Sequence, residues 1–177
     1  MIRTRSLIRR FLGNENGSAT IEFALTFMPL MFVFMSAVEL SLATFNHSVL
    51  ERAVDETMRD IRLGTGTAPQ HDQVKNLICE RAAFITDCTE NLRLEMIQVD
   101  PRNWVGIDSE ADCTDQSEEV APVRSFENGL ENELMILRAC AKITPIFPTT
   151  GLGKSVYKDG AGQYALVSSS AFVQEPK

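Results

Sequence analysis

The stretch SATIEFALTFMPLMFVFMSAVELSLATFNHSVLERAVDETMRDIRL, Ser18 to Leu63, decides the fold. From Phe23 to Val38 it carries no charged residue, and apolar side chains fill every face of the helix it would form. After Glu39 the apolar run resumes as Leu40 to Phe45. Counted through Glu39, it matches the roughly 20 residues that cross a bilayer as a helix. Further on the pattern becomes one-sided. Val49, Leu50, Ala53, Val54, Thr57, Met58 and Ile61 recur at helical spacing, with Glu51, Arg52, Asp55, Glu56, Arg59 and Asp60 on the other face. One helix over 18–63 is therefore predicted, about 70 Å long. Its first half suits lipid and its second half suits the surface of a soluble domain. Pro29 lies inside the lipid half, where it removes the hydrogen bond to the Leu25 carbonyl and favours a kink. LGTGT supplies the stop, with Gly64 placed as a C-terminal cap.

Charge divides the chain in the same way. Before Gly17 stand Arg3, Arg5, Arg9 and Arg10 against Glu15, a net +3, which leaves −10 for the remainder of a chain whose total is −7. A basic leader followed by an acidic body predicts a cytoplasmic N-terminus and an exported body, by the positive-inside rule. An acidic body argues against nucleic acid or an anionic membrane surface as its partner. Cys79, Cys88, Cys113 and Cys140 all follow the apolar run. An even number of cysteines in an exported body points to disulfides, with free buried thiols and a metal site as the other readings. Of the three connectivities, local pairing is preferred: Cys79 with Cys88 and Cys113 with Cys140.

The body reads as α+β. DQVKNLICERAAFI (72–85) has helical spacing at Val74, Leu77, Ile78 and Phe84. LRLEMIQVD (92–100), NELMILRACAKITPIF (132–147) and GQYALVSSSAFVQ (162–174) read as strands, with the acidic loop GIDSEADCTDQSEEVAP (106–122) between the first two. Strands without βαβ alternation favour an antiparallel sheet. The expected domains are a leader over 1–17, the long helix over 18–63 and an extracytoplasmic domain over 64–177.

Catalysis finds little support. His47 and His71 sit in no metal-ligand pattern, one read as interfacial and the other as solvated in a loop. GTGTAP and GLGKSV read as turns rather than phosphate cradles. Asp108, Glu110, Asp112, Asp115, Glu118 and Glu119 lack calcium-loop spacing and read as a solvated loop. Trp104, flanked by PRN and VG, reads as a packing residue in a loop. The expectation is a non-enzyme with no cofactor and no metal.

Glu22 remains, a carboxylate one turn into the apolar run, where a charge is costly. G-SATI-EF ahead of an apolar helix resembles the processing site of the type IV pilin superfamily, in the form of its Flp and TadE-like branch. There prepilin peptidase cuts after glycine, and Glu stands fifth in the mature chain before an aromatic residue. The resemblance places the cut between Gly17 and Ser18, with Glu22 fifth and Phe23 next, and it covers residues 13 to about 45. The chain length suits a TadE-like minor pilin better than an Flp major pilin. What the resemblance implies is a minor pilin or pseudopilin of a tight-adherence system. It would be processed by prepilin peptidase and held in the bacterial inner membrane with a periplasmic domain. It would act with other pilins or minor pilins in pilus biogenesis and adhesion, and could enter an extracellular pilus. Two other readings stay open. One is an uncleaved single-pass accessory or scaffold protein of the envelope. The other is a secreted protein cut after SLA, before Thr44.

Overall fold

The computed structural model describes residues 18–63, 69–103, 111–113 and 125–175. In chain order the elements are α1 (Ser18–Arg62), α2 (His71–Arg81), α3 (Cys88–Asn91), β1 (Leu92–Val99), β2 (Leu134–Ile143), α4 (Gly151–Ser155) and β3 (Tyr164–Val173). The three strands form one antiparallel sheet in the order β1-β2-β3. The class is α+β: a long N-terminal apolar helix packed on a small three-stranded antiparallel sheet.

α1 contains 45 residues, about 68 Å at the helical rise. It is continuous through Pro29. Its two halves differ as their sequences do. Ile21, Phe23, Leu25, Met28, Leu30, Phe32, Val33 and Phe34 are exposed, whereas Leu50, Ala53, Val54, Thr57 and Met58 are buried. The exposed half is long and apolar enough to cross a membrane, and none of the residues in its apolar window is buried.

Alternation sets the sheet. Leu92, Leu94 and Met96 of β1 face Ala141, Ala139 and Leu137 of β2 across the ladder, and the same face continues into Leu166, Ser168 and Ser170 of β3. This face, with α1 and with Val74 and Ile78 of α2, makes the core. Small residues, Ala139 and Ala141 on β2 and Ser168 on β3, leave room for α1 to lie close to the sheet. The opposite face carries a cross-strand ion pair, Arg138 to Glu95, whose side chains are both largely buried. The outer edge of β1 is held by the segment around Phe126. Met96 N–H donates to Ser125 O at 3.1 Å, and Glu127 N–H donates to Met96 O at 3.0 Å.

Two disulfides join Cys79 to Cys88 and Cys113 to Cys140, the sequence-local pairs. The first turns the chain from α2 into α3. The second pins the loop after β1 to the outer face of β2, where Arg93 lies 3.7 Å from Asp112.

Several expectations need correction. The second helix stops at Arg81, not near residue 85, because the chain turns at Ala82 to bring Cys88 back to Cys79. Phe84 therefore leaves the helix and is 71% exposed rather than in the core. His71 is not in a solvated loop. It opens α2, donates from Nδ1 to Asp72 Oδ1 at 2.8 Å, and meets the Phe126 ring edge-on. GLGKSV is not a plain turn, since Gly151–Ser155 forms a short helix. Gly17, Gly64, Trp104 and, of the acidic cluster, Asp108, Glu110, Asp115, Glu118 and Glu119 lie outside the described residues.

Candidate functional site: the exposed helix and its seat on the domain

The functional residues expected from sequence cluster at the start of α1. Ser18 is its first residue. Glu22 and Phe23 lie on its exposed part, and Phe23 stacks on Phe27 with ring centroids 5.1 Å apart. The hydroxyls of this half turn inward on the helix. Thr26 donates to Glu22 O at 2.8 Å, Ser36 to Phe32 O at 2.9 Å, Ser41 to Ala37 O at 2.8 Å and Thr44 to Leu40 O at 2.9 Å. Each of these four hydroxyls is thereby satisfied one turn back without water, which is what an apolar solvent demands.

Sequence reasoning missed how the helix is seated. Glu39 is only 4% exposed. Its Oε1 accepts the backbone N–H of Ile146 at 3.2 Å, and its Oε2 accepts that of Phe147 at 3.0 Å. One carboxylate thus satisfies two amides of the chain that follows β2, and charged acceptors make the stronger hydrogen bonds. Three residues earlier on α1, Ser36 meets Gly151. A Cβ at Gly151 would lie 2.3 Å from Ser36 Oγ, and the backbone there has φ +53°, so glycine is required twice over. Lys158 closes the loop by donating from Nζ to Pro148 O at 3.2 Å and to Gly153 O, near the carbonyl end of α4. The phenol of Tyr164 lies in this region. Burial pushes its pKa up, and the Glu39 charge pushes it the same way.

Above the seat, α1 is tied to β3 and α2. His47 Nε2 lies 3.1 Å from Val167 O. Ser170 Oγ donates to Asp55 at 3.1 Å, and Arg62 pairs with Glu175 at 3.0 Å. These ties ascend both elements together, so α1 and β3 run in the same direction. Arg81 of α2 reaches α1 by donating to Thr57 Oγ1 at 2.6 Å and pairing with Asp60. Phe45 and Phe84 meet edge-on at 5.3 Å on the surface. The two histidines expected from sequence are thus placed apart, one on the helix–strand tie and the other against Phe126.

The arrangement is a largely exposed apolar rod with a folded domain clasped to its upper half. One long apolar N-terminal helix is compatible with a single-pass membrane protein. A search of curated proteins and a search of solved structures each returned no match. The model of one family, described as TadE-like protein, does match, over residues 17–59. It begins at the glycine of the expected cut and ends where α1 is buried in the core. Over that segment, about a quarter of the chain, the sequence is similar to the TadE-like family.

Proposed function

We propose that this protein is a minor pilin or pseudopilin of a Tad/Flp-type pilus assembly and secretion system, cleaved by prepilin peptidase between Gly17 and Ser18. The observation that carries the reading is the family match over 17–59, which starts on the glycine that precedes SATIEF. Cleavage would free the α-amino group of Ser18 at the first residue of α1. That amine and the Glu22 carboxylate carry opposite charges. Pairing them, within one chain or between neighbouring chains, offsets the cost of holding each in a low-dielectric helix bundle. Such a pair sets the axial register of packed helices, as single buried polar groups do in coiled coils. The partners are other Tad pilus components, pilins or minor pilins of the same system. The role is pilus biogenesis and the adhesion that depends on it. The protein is held in the inner membrane with its domain on the periplasmic side.

The N-terminal residue of the mature protein tests this. Ser18, with an unprocessed chain accumulating when prepilin peptidase is removed, is the expected result. An intact Met1 would leave an uncleaved anchor, and Thr44 a secreted protein. For the register role, Glu22→Leu should be processed normally but lost from purified pili or assembly complexes. Incorporation at wild-type levels would refute that role.

A further inference from the structure

The seat of α1 fixes the height of the loop that follows β2, and that height coincides with a membrane surface. Ser36, which receives Gly151, stands eighteen helical steps after Ser18, about 27 Å along the axis. Glu39, which holds Ile146 and Phe147, is one turn higher. The hydrocarbon core of a bilayer is about 30 Å thick. If α1 crosses the membrane from its first residue, the 144–160 loop cannot stand clear of the lipid. It meets the headgroup layer on the side where the domain lies.

The composition of the loop agrees with that position. Tyr157 is 90% exposed and Ile146 is 58% exposed, with little among the described residues to cover them. Tyrosine is enriched where a ring sits between hydrocarbon and water. Lys154 is exposed beside them. The sole acid between Thr144 and Gly160 is Asp159, which pairs with Lys142 at 2.8 Å inside the domain. In a body of net −10, this is a surface where basic groups outnumber free carboxylates. Anionic headgroups attract such lysines and repel the acidic remainder.

We infer that the loop around Ile146, Lys154 and Tyr157 is a membrane-contact foot, resting on the headgroups of the bilayer that α1 crosses and holding the domain upright on it. The inference rests on α1 as a membrane span and does not depend on processing at Gly17.

Tryptophan quenching tests it in the full-length chain. In a Trp104→Phe background, single tryptophans are introduced by Tyr157→Trp, by Phe34→Trp in the apolar half, and by Leu130→Trp. Leu130 is exposed and precedes β2, about 30 Å from the foot by the strand rise. The chains are reconstituted in phosphatidylcholine–phosphatidylglycerol vesicles with acyl chains brominated near the headgroup. Tyr157→Trp should be quenched several-fold more than Leu130→Trp. Equal, weak quenching of these two alongside strong quenching of Phe34→Trp would overturn the foot while leaving the anchor. Equal, strong quenching of the two would also overturn it, because the domain would then lie flat. An unquenched Phe34→Trp would remove the membrane span and the inference with it. Adding Lys154→Glu should weaken the Tyr157→Trp signal only where phosphatidylglycerol is present. The same loss in pure phosphatidylcholine would overturn the headgroup-charge contribution.

Discussion

The carboxylate of Glu39 accepts the backbone N–H of Phe147 at 3.0 Å, across 108 positions of sequence. With the second bond to Ile146, it joins the middle of the long helix to the base of the sheet domain. Glu39→Ala would leave two amides at a covered site without an acceptor and should cost about 3 kcal/mol. Glu39→Gln keeps one acceptor and should cost about half as much. The denaturant midpoint of the detergent-solubilised chain, followed by near-ultraviolet circular dichroism, reads both.

The same carboxylate contributes to the alkaline limb of stability. Burial first, and the Glu39 charge second, raise the Tyr164 pKa above its ordinary value near 10. The folded state therefore keeps the phenolic proton where the unfolded chain releases it. That contribution is present in full below pH of about 10 and is lost as pH rises through the folded value. In a Tyr157→Phe chain, phenolate absorbance reports Tyr164 alone. Adding Glu39→Gln should move its midpoint downward. An unchanged midpoint would mean that the Glu39 charge does not act on the phenol.

The two halves of α1 should respond differently to the same truncation. Leu50 is fully buried in the core, and Leu50→Ala should cost about 3 kcal/mol through lost burial and the cavity left behind. Leu25 is exposed on the apolar rod, and Leu25→Ala should shift the unfolding midpoint of the domain by less than about 0.5 kcal/mol. Equal effects would show that the rod packs on the domain in solution.

The disulfides close loops of different size. Cys113 and Cys140 are 27 positions apart, and Cys79 and Cys88 are 9 apart. By chain entropy, the double Cys→Ser change at Cys113 and Cys140 should cost about 3.5 kcal/mol, and at Cys79 and Cys88 about 2.5 kcal/mol. Unfolding of the two oxidised variants against the parent gives the order.

The parts of this fold legible in sequence are those with a local signature. α1 was predicted over 18–63 and spans Ser18–Arg62, because the change from all-round to one-sided apolar spacing and the closing LGTGT are local facts. The three strands were legible as short segments of strand-forming residues, the first of them from its alternation. The turn at Ala82 was not, because it is imposed by the Cys79–Cys88 bridge rather than by any helix-breaking residue, and Phe84 kept helical spacing beyond the true end. α4 was misread because glycines usually argue for turns, whereas Gly151 and Gly153 are needed for close approach to Ser36 and Phe147. Glu39 was noticed in the sequence as an interruption of the apolar run. Its role depends on two backbone amides more than a hundred residues away, and no spacing rule connects them.

The shared direction of α1 and β3 has a mechanical meaning. Tension drawn along the apolar rod reaches the domain as shear. The ties at His47–Val167, Asp55–Ser170 and Arg62–Glu175 lie in a row along the line of pull, as do the core contacts between them. A row loaded lengthwise shares the force among all its members, whereas one loaded from an end opens bond by bond. This domain is therefore mounted on its helix in the geometry that best resists being pulled away.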